Sequence, residues 1–244
     1  YVALFGGEGR ERFAARLERG TRWERYVRAR LRGAGLPEDL HYLALVESGY
    51  DPHAVSRASA VGMWQLMTET ARRLGLRVDW WVDERRDPIR STDAAVRNLR
   101  WLRREFGSMF LAAAAYNGGP GRVSRGLERL AAASDSTVGE MRFFALSAAG
   151  HLHEETRKYV PQIIAASLVA SEPLRYGITV RPQPAFAYDS VRVGALVPLA
   201  AVARAADATR DAILDLNPHL VRGTTPPGEP SLVRVPVGAA AGFD

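Results

Sequence analysis

The stretch that decides the reading is Pro37-Glu38-Asp39-Leu40-His41-Tyr42-Leu43-Ala44-Leu45-Val46-Glu47-Ser48-Gly49-Tyr50-Asp51-Pro52. Leu40, Leu43 and Ala44 stand at positions i, i+3 and i+4, the spacing of a core-facing helical stripe. The next member of the series, i+7, is Glu47. A carboxylate at the end of an apolar stripe is costly to desolvate unless it is paired or neutral. Desolvation disfavours the charged form and should raise its pKa, as a general acid at neutral pH requires. The alternative is a helix-end carboxylate reaching solvent or an arginine. Pro37 suits a first helical position, with Glu38 and Asp39 at the positive end of the dipole. Pro52 pushes Asp51 out of the helical region, so Asp51 is not expected to act as a second carboxylate beside Glu47.

Outward from this segment, residues 1 to about 176 read as helices. Phe13 and Leu17 mark a first amphipathic stretch. Thr21 with Glu24 resembles a capping box that opens a second, ended by Gly33 and Gly35. A helix from Thr92 carries Ala95, Leu99, Leu102 and Phe106 on one face and stops at Gly107. Thr137 with Glu140 is a further capping-box candidate. A long apolar helix covers about 155–171, with Pro161 in its first turn or as a kink. Arg181-Pro182-Gln183-Pro184 reads as a stiff, extended linker. Beyond it, a β-like run (188–193), two short helical patterns (198–206 and 209–216), a Pro/Gly loop (225–230) and a second β-like run (232–235) form a βααβ pattern. The expected domains are 1–180 and 185–244.

The 244 residues include 47% apolar and 25% charged side chains, ordinary for a globular protein. The 33 basic and 27 acidic residues give a net charge of +6, with a pI near 10.0. Such a balance suits an anionic polymer or a compositional habit of the source. The arginines are dispersed, without an aromatic-interleaved patch, so no nucleic-acid partner is expected. The absence of cysteine excludes disulfides, thiol nucleophiles and Cys-ligated zinc. No apolar run is long enough for a transmembrane helix. Tyr1 is not preceded by a charged-then-apolar leader, so an export signal is expected to have been removed or never present. His151-Leu152-His153-Glu154 lacks the spacing of a metal site, and neither metal nor cofactor is expected.

After Glu47-Ser48 come Ser56, Gly62-Met63-Trp64-Gln65-Leu66-Met67, then Ala115-Tyr116-Asn117-Gly118-Gly119-Pro120-Gly121, and finally Glu155-Thr156-Arg157 and Tyr159-Val160. This ordered set, over about residues 5–175, resembles the lytic transglycosylases that cleave bacterial peptidoglycan, whose domain is related to goose-type lysozyme. Gly62-Met63-Trp64-Gln65 and Gly35-Leu36-Pro37 are most similar to the membrane-bound lytic transglycosylase D branch. Thr68 stands where that family often has proline, and Gly119 where it often has alanine.

The resemblance implies a mainly α, lysozyme-like catalytic domain with Glu47 as sole acid/base. Ser48 would help hold that carboxyl or the substrate. Ser56 falls among the substrate-binding positions. Met63 and Gln65 would line a glycan cleft, with Gly62 allowing close backbone approach. Tyr116 would lie near the reacting sugar, Asn117 would contact the glycan or shape its loop, and Tyr159 would hydrogen-bond near Glu47. The expected partner is peptidoglycan, met by a monomer in the periplasm, with a possible membrane tether. A hydrolytic muramidase and a non-catalytic wall-binding protein are the alternatives. The βααβ segment is similar to a degenerate LysM module. Leu216-Asn217-Pro218 and Val233-Arg234-Val235-Pro236 fit, the usual Gly-Asp-Thr-Leu start is missing, and the segment would either bind glycan or buttress the catalytic domain.

Overall fold

In the computed structural model of the chain, residues 1–133 and 136–243 are described. The apolar periodicity of the N-terminal segment runs without interruption, and one long helix results. After a short α1 (Val2–Gly6), α2 extends over Arg10–Gly33. The capping box expected at Thr21 and Glu24 does not open a second helix. The Thr21 hydroxyl instead accepts a hydrogen bond from the backbone N–H of Gln183 at 2.8 Å. Gly20 sits mid-helix, where glycine is unfavourable, because a Cβ there would lie 2.4 Å from the ring of Tyr50.

A 3-10 turn (Glu38–Leu40), with Pro37 at its N-cap, leads into α3 (His41–Ser48). Next come α4 (Thr68–Arg73), α5 (Pro88–Phe106), α6 (Met109–Gly118), α7 (Pro120–Ala132), α8 (Met141–Ala148) and α9 (Glu154–Ser171). Helix α5 ends at Gly107 as the sequence predicts but begins four residues earlier than Thr92, at Pro88. Pro161 falls in the interior of α9, not its first turn, and the helix continues through it. The C-terminal segment has the expected βααβ order: β1 (Asp189–Val193), α10 (Leu199–Ala205), α11 (Arg210–Leu216) and β2 (Ser231–Val235). The strands pair antiparallel with Val191 opposite Val233. The fold is thus mainly α with one small two-stranded sheet among the described residues.

Two compact units divide the chain. The first holds residues 1–18, 27–46 and 95–181. Its central helix is α6, which packs on α7, α8 and α9. Leu111 through Ala115 are all buried, so α6 is apolar on every side, as a helix with no solvent face must be. Its N-terminus is capped from a distance. Glu140 accepts hydrogen bonds from the Ser108 hydroxyl (2.6 Å) and from the N–H groups of Met109 (2.8 Å) and Phe110 (2.7 Å). Burial pushes the Glu140 carboxyl up. The bonds from Ser108, Phe110 and Met109 outweigh that, and it settles below its ordinary value. Glu140 therefore serves the orphan amides of α6.

The second unit holds residues 19–26, 47–94 and 182–244. The chain passes from one unit to the other between Arg181 and Pro182. The extended segment that follows is fastened along α2 by Gln183 on Thr21 and by the Phe186 N–H on the Arg22 carbonyl at 3.0 Å. The apolar core under the sheet contains Val191, Val193, Leu199, Val202, Ile213, Val233 and Val235, and it takes in Val82 from outside the βααβ segment. No helix among the described residues is long and apolar enough to cross a membrane.

Candidate active site

The 3-10 turn and α3 together bury the stripe that the sequence predicts: Leu40, Leu43 and Ala44 are all buried, the last two completely. Glu47 follows in the last turn and is partly exposed, one residue before the helix ends at Ser48. The chain then turns through two left-handed residues, Gly49 (φ 65°) and Tyr50 (φ 61°). That conformation costs a non-glycine residue of order 1 kcal/mol. It is held by complete burial of the Tyr50 ring and by Arg19 donating to the Gly49 carbonyl at 2.7 Å.

Ser48 joins the helix end to the next motif. Its hydroxyl donates to the Met63 carbonyl (2.8 Å) and accepts from the Asp51 N–H (3.1 Å). The Asp51 carboxylate accepts from the His53 N–H at 2.8 Å, closing a local turn. Residues 54–66 form a tight loop with bridges between Val55 and Val61 and between Val61 and Leu66. Ser56 closes its tip, its hydroxyl accepting from the Ala60 N–H at 3.0 Å.

Within Gly62-Met63-Trp64-Gln65 the side chains have different fates. Met63 and Trp64 have no exposed surface, and the Trp64 indole N–H donates to Thr92 at 2.9 Å. The expectation that the Met63 side chain lines a cleft is not met in this conformation. Met63 contributes its carbonyl to Ser48 instead. Gln65 is partly exposed at φ 49°, its amide donating to the Gly62 carbonyl at 2.9 Å. Gly62 has φ 83°, and a Cβ there would sit 1.9 Å from the Arg85 carbonyl oxygen. The close approach is made by the protein's own backbone.

Arg85 is the residue that sequence reasoning missed. Its buried guanidinium pairs with both oxygens of Asp83 at 2.8 Å. It also donates to the Leu66 carbonyl (3.3 Å), the Ser59 carbonyl (3.3 Å) and the Thr68 hydroxyl (3.0 Å). Arg85 thus clamps both sides of the motif loop, and Thr68 has a task that proline could not perform. The only sequence signal was an Asp-x-Arg spacing, common on any surface.

The first unit holds the other motif residues. Tyr116 and Asn117 end α6, and Gly119 (φ 86°) turns the chain into α7. Asn117 accepts from the Thr156 hydroxyl at 2.8 Å and donates to Glu155 at 3.2 Å. A Cβ on Gly118 would lie 2.6 Å from that same Thr156 oxygen. Through these bonds Asn117 ties the end of α6 to the first turns of α9. Tyr116 is partly exposed, and Tyr159, one turn beyond Thr156, is buried.

Residues 26–138 match the family described as the transglycosylase SLT domain, a span that includes Glu47, the 62–66 loop, Tyr116 and Asn117. The chain carries an SLT transglycosylase domain. Behind this SLT domain, residues 187–244 match the family described as the LysM-like domain of lytic transglycosylase MltD. The membrane-bound lytic murein transglycosylase D of Escherichia coli K12 is 32% identical over 213 residues, covering 86% of this chain and 45% of that protein. The chain therefore spans less than half the length of that curated relative. The peptidoglycan transglycosylase gp16 of Escherichia phage T7 is 41% identical over 86 residues, covering 34% of this chain and 6% of its own. An inactive mutant of the lytic transglycosylase Slt of Pseudomonas aeruginosa has a TM-score of 0.48 at 25% identity, covering 65% of this chain and 24% of that one.

Proposed function

We propose that this chain is a peptidoglycan lytic transglycosylase that cuts the bond between N-acetylmuramic acid and N-acetylglucosamine and leaves a 1,6-anhydro end. The observation that carries the reading is the placement of Glu47 inside an SLT domain. It stands at a helix end whose next residue is hydrogen-bonded to the Gly62–Gln65 loop. Residues 1–180 form the catalytic part in this reading, and 185–244 the accessory part.

Glu47, protonated, donates to the glycosidic oxygen as general acid. The acetamido group of the muramic residue stabilises the cationic centre, among the substrate-assisted exceptions to the two-carboxylate rule. Glu47, now a base, takes the proton of the C6 hydroxyl, which attacks C1 and closes the anhydro ring. Asp51, the nearest acid in sequence, has an oxygen committed to its own turn, which argues against a paired carboxylate. Ser48 and Gln65 position the motif around Glu47. Tyr116, Asn117 and Tyr159 belong to the sugar-facing part of the domain. The work is cell-wall remodelling, carried out by an exported periplasmic protein held at a membrane by a tether outside residues 1–244.

The test is digestion of purified sacculi followed by mass spectrometry. Products one water lighter than reducing-end muropeptides are expected. Reducing ends would replace this reading with hydrolysis, and an undigested sacculus would remove the enzymatic reading altogether.

A further inference from the structure

The second unit contains a cavity of about 440 Å³ walled by two sequence-distant segments. His53 and Arg86 come from the SLT domain. Arg210, Pro218 and Arg222 come from α11 and the loop that follows it. Three arginines and a histidine face this space, and no carboxylate lines it. Two of the arginines are already fixed. Arg86 donates to the His53 carbonyl at 3.1 Å. The guanidinium of Arg222 lies over the Trp80 ring, 3.3 Å from its centroid, and its Nε donates to the Trp80 carbonyl at 3.0 Å. Arg210 and Arg222 have no carboxylate partner among the described residues, whereas Arg86 stands 4.0 Å from Asp83. Guanidinium groups held in place beforehand, as those of Arg86 and Arg222 are, match a carboxylate in planar, bidentate fashion and lose little entropy on binding it.

We infer that this cavity is a subsite for the carboxylates of the peptide stem that branches from the muramic acid of peptidoglycan, built jointly by the SLT domain and the LysM-like segment. The inference rests on the function proposed above. His53 is six residues beyond Glu47, so their Cα atoms are at most roughly 20 Å apart, and the left-handed turn at Gly49 and Tyr50 and the Asp51–His53 turn bring them closer. An extended stem of about four residues covers roughly 13 Å before side chains are counted. The site reads the peptide, not the sugar, and gives the LysM-like segment a part in choosing the substrate.

The test uses the full chain carrying Glu47→Gln and two ligands, a disaccharide bearing a tetrapeptide and the same disaccharide with the peptide removed. Calorimetry is expected to give at least about tenfold tighter binding of the peptide-bearing ligand, with strong salt dependence. Adding Arg210→Glu and Arg222→Glu should bring the ratio of affinities towards one. The milder Arg210→Gln with Arg222→Gln should lower the ratio in the same direction. A ratio near one in the starting protein, or a ratio unchanged by either pair, overturns the subsite. Digestion of sacculi by the unsubstituted chain separates the two failures. Products released with an unchanged ratio sink the subsite alone, and no products sink the functional reading on which it rests.

Discussion

Asp87 and Arg234 lie 147 positions apart and form a buried ion pair at 2.7 Å. Asp87 is completely buried at the start of α5, where its other oxygen accepts the N–H groups of Ile89 (2.9 Å) and Arg90 (3.1 Å). Arg234 is in β2 of the LysM-like segment and also donates to the Leu216 carbonyl at 3.2 Å. One carboxylate therefore caps a helix of the SLT domain and neutralises an arginine of the C-terminal sheet.

Breaking this pair from one side should be severe. Arg234→Met leaves the Asp87 charge buried and partnered only by amides and the uncharged His219. Such losses cost about 3–5 kcal/mol. A urea denaturation curve should record that drop, with 47–94 and 182–244 unfolding together. A drop under about 1 kcal/mol would mean that the two segments are energetically independent.

His219 makes the same region acid-sensitive. Its Nδ1 stands 3.5 Å from Asp87. Burial pushes its pKa down from 6.5 to about 4. Asp87 pulls upward against this, while Arg234 and Arg90 add to the depression. The unfolded chain thus binds the proton more readily than the folded one. The stability that neutral His219 contributes is complete above about pH 6.5 and is lost as the pH falls towards 4, amounting to up to about 3 kcal/mol. His41, pushed down to about 3 chiefly by burial and then by Arg28, contributes in the same sense in the other unit. His219→Gln should flatten part of the decline between pH 7 and 4.5. An unaltered slope would contradict the assignment.

Much of this was legible because it depends on neighbours in sequence. The stripe ending at Glu47, the stop at Gly107 and the βααβ order all follow from local periodicity and turn chemistry. The misreadings share one cause. Thr21 and Glu140 have the composition of capping residues, but their partners are Gln183 and the first turn of α6. Side chains that cap over long distances look the same in sequence as those that cap their own helix. The motif does not reveal which of its members face inward, so the burial of Met63 and the approach of the Arg85 backbone to Gly62 have no signal in it. Arg85, whose carbonyl requires Gly62 to be glycine and whose guanidinium holds the loop, has no periodic or motif signal.

Gly62→Ala tests that loop directly. The new Cβ would have to displace the Arg85 backbone from a 1.9 Å overlap, at a φ that alanine resists. A loss of at least about 2 kcal/mol is expected, together with loss of turnover. Thermal melting and sacculus digestion measure the two. A variant melting within a degree of the parent would show that the loop can shift freely.

Glu47→Gln separates chemistry from structure. The amide keeps the size of the side chain but cannot donate and retrieve a proton. Turnover should fall by at least about 10²–10⁴, while the melting temperature and glycan affinity remain near those of the parent. Retained turnover would assign the proton transfers elsewhere.

Ser48→Ala distinguishes a positioning role from a merely neighbouring one. The substitution removes the donor to the Met63 carbonyl and the acceptor of the Asp51 N–H. Leaving such groups unsatisfied costs about 1–3 kcal/mol. Because the backbone of Glu47 is continuous with this junction, the carboxyl should lose its fixed position before the glycan loses its binding surface. The expected signature is a fall in kcat larger than any rise in KM, partly restored in Ser48→Thr, which retains the hydroxyl. Equal changes in kcat and KM for alanine and threonine would mean that the Ser48 hydroxyl does not hold Glu47 in register.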